Sequence, residues 1–315
     1  MILRFQIYKF TIQFLEPCQL PAYKGSALRG GFGNALKRTI CLYKGKTCSE
    51  CTLRSECAYA YLFESIPARE IELAHFGKYE TIPHPFIIEP PEEARKLYQQ
   101  GESLEFKLIL IGQAIKYLPY FLLAFERFGE IGIGQGKKRF KLDRVTAGQN
   151  EVYRSDTKEF LPGDFSELTI PEDYEYINIK ETKLTLEFRT PVRIKYNRDS
   201  VTRLDFFILI TNILRRLMLL NYFHGDGNPP AWDHKKLIDE AKKVSIESNC
   251  LAWHDWERYS NRQKTKMKLG GLKGVITYTG PLENFWPLLK AGEILHVGKG
   301  TSFGLGKYLM INRIK

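Results

Sequence analysis

The chain has 315 residues, with 47 Lys+Arg against 36 Asp+Glu and a formal net charge of +11. Hydrophobic residues make up 43% and aromatics 13%, enough for packed cores, which excludes a disordered basic tail protein. The charge points to an acidic partner and the length to two domains.

From Ile2 the apolar positions alternate as Leu3, Phe5 and Ile7, then change parity to Phe10, Ile12 and Phe14, which predicts a strand with a slip near Tyr8 and Lys9. Met1 to Leu15 lacks a continuous apolar run and a small-residue cleavage site, so no signal peptide is expected. Residues Gly25 to Cys41 carry Leu28, Phe32, Ala35 and Leu36 at helical spacing, with Ser26 as N-cap and Gly30, Gly31 and Gly33 allowing close approach. Leu104 to Leu110 alternates as a strand. Ala114, Leu118, Phe121, Phe125 and Phe128 then mark a helix ending near Gly129, followed by a Gly-rich turn and a strand from Phe140 to Val145.

Tyr153 to Asp173 lacks periodicity and reads as a connection. The order then repeats: a strand over Leu184 to Phe188, a helix over Leu204 to Phe223, and extended segments over Val244 to Trp253 and Gly274 to Tyr278. A short helix over Leu282 to Ala291, a second Gly-rich loop from Gly298 to Gly306 and a strand over Tyr308 to Arg313 complete it. Thr211, Asn212, Arg215 and Arg216 interrupt the apolar stretch Phe206 to Leu220, so no membrane segment is expected. Gly129-Glu130-Ile131 recurs as Gly292-Glu293-Ile294, each copy between a predicted helix and a strand, which suggests duplication. The prediction is an α+β protein of tandem ferredoxin-like (RRM-like) domains in βαββαβ order. The first spans 1–150, with a Cys-rich insertion at about 41–85; 151–181 is the connection, and 182–315 the second domain with its Gly-rich loop.

Three constellations carry chemistry. In the Gly-rich loop, the backbone around Gly298, Gly300, Thr301, Ser302, Gly304 and Gly306, flanked by Lys299 and Lys307, suits phosphate contact; a packing turn explains the glycines equally well. Cys41, Cys48, Cys51 and Cys57 form C-x6-C-x2-C-x5-C, a set that can close a structural Zn²⁺ site or remain four unligated thiols. Arg258, Arg262, Lys264, Lys266 and Lys268 in a predicted hairpin, interleaved with Trp256 and Tyr259, suit RNA binding, although a solvated basic hairpin has the same composition. Cysteines without a secretory signal fit a reducing, cytoplasmic setting.

The segment HVGKGTSFGLGKY (296–308), with GSALRGGFG (25–33), PHPFIIEPP (83–91), YLPYFLLAFERFGEIGIG (117–134), TPVRIK (190–195) and RRLMLLNYFHG (215–225), resembles the RAMP superfamily of CRISPR-associated proteins, in particular the endoribonucleases that process precursor CRISPR RNA. The resemblance implies cleavage of repeat RNA with no cofactor in the reaction, leaving a 5′-hydroxyl and a 2′,3′-cyclic phosphate. The partners it implies are CRISPR repeat RNA and other CRISPR effector subunits, with a homodimer as a further expected assembly and no membrane. The alternative it leaves open is a non-catalytic subunit that binds guide RNA in a multisubunit effector.

Many such proteins place a Tyr, a His and a Lys around the first strand and helix; this chain offers Tyr23, Lys24 and Arg29 there, and its first histidine is His75. Tyr23 and Lys24 are therefore candidate catalytic residues, Lys24 as a transition-state cation, and Arg29 a candidate RNA contact. His224 is the first candidate for proton transfer and His296, at the mouth of the Gly loop, the second. The alternative reading of His224 is a cap at the C-terminus of its helix, where the dipole favours imidazolium. His84, between Pro83 and Pro85, reads as a structural turn residue, and His254 as a group that Asp255 could orient.

Overall fold

The computed structural model describes residues 1–43, 45, 47–64, 71–73, 77–79, 82–161, 163, 165–170, 182–196, 199–228, 230, 232–255, 257–260 and 265–311. The chain divides into two compact units, one of Arg4–Leu73 with Gly77–Glu167, the other built mainly from Leu168–Lys315.

In the first unit, β1 (Ile2–Phe14) and β2 (Cys18–Gln19) lead into α1 (Gly25–Ile40). The short strands β3 (Ile71–Leu73) and β4 (Gly77–Tyr79) pair with each other. Then come β5 (Phe86–Glu89), β6 (Leu97–Tyr98), β7 (Ser103–Ile111), α2 (Leu118–Ile131), β8 (Phe140–Ala147), β9 (Asn150–Arg154) and β10 (Ser166–Thr169). The sheet order β5-β7-β1-β8 is that of a ferredoxin-like βαββαβ unit, and β9 extends it. Residues 150–154 thus belong to a sheet, where the sequence suggested that the connection begins. The predicted slip in β1 falls later, between Thr11 and Ile12, whose partners on β8 are Arg144 and Leu142, so Asp143 is the extra residue.

The even-numbered face of β1 (Tyr8, Phe10, Ile12 and Phe14) enters the core with β7 and both helices. Phe32 of α1 stacks on Phe121 and Phe125 of α2 at centroid separations of 4.5 and 5.2 Å. Glycine allows this closeness. A Cβ at Gly31 would lie 1.8 Å from the ring of Phe128, and one at Gly33 would lie 2.4 Å from that of Phe63. Ser26 does not cap α1: the N-cap is Lys24, which makes no side-chain cap bond. The second helix starts at Leu118, later than its apolar spacing suggests. Pro119 sits in its first turn, where a missing N–H costs nothing, and residues 112–117 form a 3₁₀ segment.

The second unit contains β11 (Lys183–Val192), the two-residue pair β12 (Lys195–Tyr196) and β13 (Asp199–Ser200), α3 (Phe206–His224), α4 (His234–Ala241) and β14 (Ser245–His254). The predicted basic hairpin is β15 (Glu257–Ser260) paired with β16 (Thr265–Lys268); then follow β17 (Gly271–Thr279), α5 (Trp286–Leu295) and β18 (Tyr308–Met310). Its sheet order, β14-β17-β11-β18, repeats that of the first unit strand for strand.

The duplicated Gly-Glu-Ile motif has one structural purpose in both copies. A Cβ at Gly129 would lie 2.2 Å from the carbonyl oxygen of Phe140, the first residue of β8. One at Gly292 would lie 2.3 Å from the hydroxyl of Tyr308, the first residue of β18. α3 is apolar and long enough to cross a membrane by length and composition alone; most of it is buried, as befits a core helix.

Candidate functional site

In the second unit the Gly-rich loop fastens α5 to β11 and β18. The amide of Val297 donates to the carbonyl of Gly306, that of Gly306 to Pro191, and that of Lys299 to Arg193. The Thr190 hydroxyl donates to the Gly304 carbonyl at 2.9 Å and accepts from the Lys307 amide at 2.9 Å. Gly298, Gly300, Gly304 and Gly306 all have positive φ. A Cβ at Gly306 would lie 1.8 Å from the Val297 carbonyl oxygen, so the turn admits only glycine there.

This changes the sequence reading of the loop. Thr301, Ser302, Gly304 and Gly306 are buried, and the amides of Gly304 and Gly306 already serve Thr301 and Pro191. What the loop offers to solvent is Gly298, Lys299 and Gly300, with Lys307 half-buried. Basic groups gather around that tip. The Lys299 ammonium titrates below its usual value, first because of partial burial and then because Lys195, Arg193 and Arg215 crowd it. Arg193 and Lys195 follow the last strand residue of β11, and Arg215 projects from α3. Sequence alone did not bring these three together, since the fold makes them neighbours.

The predicted histidine candidates lie inside. His224 is 2% exposed at the end of α3, and His296 is 1% exposed with Nδ1 3.1 Å from the carbonyl oxygen of Leu305. Neither ring presents the open face that proton exchange with RNA needs. Arg216 is held by a bond from Nε to the carbonyl of Leu295, the residue before His296, at 2.8 Å, and burial lowers its pKa to about 10. The carboxylate expected to orient His254 is engaged elsewhere: Asp255 accepts from the indole of Trp253 at 2.9 Å.

In the first unit, Lys24 has no exposed surface, and Nζ donates to the carbonyl oxygens of Glu93 at 2.9 Å and Ala22 at 3.4 Å. Its pKa is lowered chiefly by burial, with Glu93 opposing and Arg95 reinforcing. Lys24 therefore ties the start of α1 to a neighbouring loop, a structural position rather than that of a cation in an open cleft. Burial and then Glu89 raise the phenol pKa of Tyr23. Arg29 is half-buried, and its Nη2 lies 2.8 Å from Nε2 of His84. The sequence reading took His84 for a turn residue; no signal in the chain pairs it with α1.

The cysteines Cys41, Cys48, Cys51 and Cys57 are free thiols of intermediate exposure. Residues Cys48–Glu50 form a 3₁₀ turn that brings the amide of Cys51 to the carbonyl of Cys48. The Cys48 thiol pKa is raised by burial first and then by Glu64, with Cys57 and Cys41 adding to the rise. Among the described residues, no three His, Cys, Asp or Glu side chains are gathered as metal ligands. Of the basic hairpin, Arg262 and Lys264 lie outside the described residues, while Arg258 stands on β15 and Lys266 and Lys268 on β16.

Comparison with known proteins agrees with this architecture. One family model, described as the N-terminal domain AF_1859_N, matches residues 3–164. The model of CRISPR-associated endoribonuclease Cas6 matches residues 186–308. An uncharacterised protein of Archaeoglobus fulgidus is 25% identical over 297 residues, 91% of each chain. Among solved structures, a Cas6 product complex superposes with a TM-score of 0.56 at 17% identity, covering 98% of this chain and 100% of that one. Thermus thermophilus Cas6 gives 0.54 at 15% identity over 98% and 99%. At these identities the structural likeness is one of fold, and the family match over residues 186–308 supports a CRISPR-associated endoribonuclease.

Proposed function

We propose that this endoribonuclease cuts CRISPR repeat transcripts without a metal ion, by attack of a ribose 2′-hydroxyl on the adjacent phosphate. The strand would lie on the cations Arg193, Lys195, Arg215 and Lys299 at the tip of the Gly-rich loop. The observation that carries the binding surface is the meeting of Arg193, Lys195 and Arg215 at the exposed Lys299, whose ammonium is depressed first by partial burial and then by these three. Such crowding costs free energy that a phosphate relieves, so the patch favours an anionic ligand before any base is read. The β15–β16 hairpin would add further phosphate contacts through Arg258, Lys266 and Lys268.

The chemistry needs a base for the 2′-hydroxyl, a proton for the leaving 5′-oxygen and cations for the phosphorane. Incubation of the full chain with labelled repeat RNA in excess EDTA tests it. A single cut ending in a 2′,3′-cyclic phosphate is expected; cutting that requires added Mg²⁺, or tight binding with no cut, sinks the reading. For Cys41, Cys48, Cys51 and Cys57 the proposal is a structural zinc that draws the four thiolates together. The C-x2-C turn supports it, and a saturated thiolate site has no vacancy for catalysis. Elemental analysis of purified protein should find about one zinc per chain, lost in a Cys48→Ser, Cys51→Ser variant together with thermal stability. Zinc-free protein of unchanged melting temperature rejects the site.

A further inference from the structure

A base that acts on RNA must be reachable, held in one tautomer and accompanied by a cation. Of the histidines among the described residues, His224, His234 and His296 are 2%, 9% and 1% exposed. His254 is exposed at the end of the edge strand β14. His84 alone combines partial exposure with a hydrogen-bonded position for both ring nitrogens. Its Nδ1 lies 3.1 Å from the carbonyl oxygen of Leu62, and its Nε2 lies 2.8 Å from Nη2 of Arg29.

These two contacts fix the protons. A guanidinium only donates, so Nε2 must be the accepting lone pair; a carbonyl only accepts, so Nδ1 carries the hydrogen. The ring is therefore neutral, with its basic nitrogen directed at a permanent cation. Aromatic rings hold both groups in place. The Arg29 guanidinium lies 4.7 Å from the centroid of Phe63 and 5.9 Å from that of Phe86, and His84 lies 6.2 and 5.8 Å from the same two rings. Gly33 lets Phe63 come this close to α1.

We propose that His84 and Arg29 form the catalytic pair of the RNA cleavage described above, an inference that rests on that reading. The Nε2 lone pair holds Arg29 at rest, and a phosphate, the stronger acceptor for a guanidinium, can take it over and leave that lone pair open. As the scissile phosphate draws the Arg29 guanidinium off Nε2 of His84, that nitrogen takes the proton of the 2′-hydroxyl and the 2′-oxygen bonds to phosphorus. The bond from phosphorus to the 5′-oxygen breaks, and that oxygen leaves with the electron pair and takes a proton from water. His84 then returns its proton to solvent, which completes the balance.

The test is single-turnover cleavage of labelled repeat RNA by the full chain in EDTA, with RNA affinity measured alongside. His84→Ala and the shape-conserving His84→Gln should each slow cleavage by about 100-fold or more, the usual range for loss of a general base, and change affinity less than threefold. Added imidazole should restore part of the His84→Ala rate, which a purely structural loss would not allow. Arg29→Ala should slow cleavage similarly, with Arg29→Lys recovering part. If the wild-type protein cuts and His84→Gln cuts at the same rate, the pair is wrong while the cleavage reading stands. If the wild-type protein cuts nothing, that reading fails and the pair with it.

Discussion

The two Gly-rich turns occupy the same place in the repeated fold, between the second helix and the last strand of each unit, yet their surroundings are opposite. In the first turn, Gly132 and Lys137 meet so closely that a Cβ on the glycine would lie 2.0 Å from the lysine carbonyl oxygen. Residues 134–137 are nonetheless exposed. A carboxylate braces it: Lys138 lies 3.3 Å from Glu16, whose other oxygen accepts from the amide of Arg139. In the second turn most of the backbone is buried, and the exposed tip gathers positive charge from the segment after β11 and from α3. Duplication preserved the backbone device. What differs is the charge around it: Glu16 braces the first turn, whereas Arg193, Lys195 and Arg215 gather at the second.

The largest effect that would break this contrast is on folding. Gly306→Ala combines a positive φ with a direct clash on backbone and should destabilise by about 3 kcal/mol or more, whereas Gly136→Ala meets only ordinary contacts and should cost about 1 kcal/mol for its left-handed φ. Urea unfolding of the two variants measures the difference, and equal losses would mean that the second turn is no tighter than the first. Next in size is RNA affinity. The combined change Arg193→Ala, Lys195→Ala, Lys299→Ala should weaken repeat-RNA binding tenfold or more and flatten its salt dependence by about 0.7 in slope per lost single-strand contact. Lys138→Ala in the turn braced by Glu16 should leave both within twofold. Equal responses, read by titration at several salt concentrations, would erase the distinction.

The smallest effect concerns pH. The Glu16 carboxyl is held below its usual pKa by the Arg139 amide first and then by Lys138. A carboxylate with a depressed folded pKa adds stability above its unfolded value of about 4.3 and loses it as pH falls through the folded value. Glu16→Gln should therefore lower the melting temperature slightly at pH 7 and not at all in strong acid. A deficit that persists in acid would assign the effect to packing.

Periodicity made the frame legible. β1, β7 and α3 announce themselves by alternation or by i, i+4 spacing, because each buries one face in a core. The repeat of Gly-Glu-Ile was legible because packing a helix against a strand's first residue demands glycine at one place. The short helix α4 was not legible, since Leu237 and Ala241 are too few apolar residues to set a period over His234–Ala241. The site was less legible than the frame. The charges of Arg193, Lys195, Arg215 and Lys299 converge only after β11, α3 and the loop are assembled. Burial of His224, His296 and Lys24 likewise depends on neighbours that lie far away in sequence. The same holds for His84, which meets α1 only through the fold.

Gly31 and Gly33 have a mechanical consequence. Two aromatic rings, Phe128 and Phe63, bear directly on the backbone of α1, with no side chain between to act as a cushion. Such a seat resists sliding and rolling of the helix, because either motion drives main-chain atoms into a ring. Arg29 is therefore carried on a stiff mount, and its distance from His84 is set by the least compliant part of the unit. A larger residue at Gly31 or Gly33 would act as a shim: it would tilt the mount and move the guanidinium off its partner without touching either side chain.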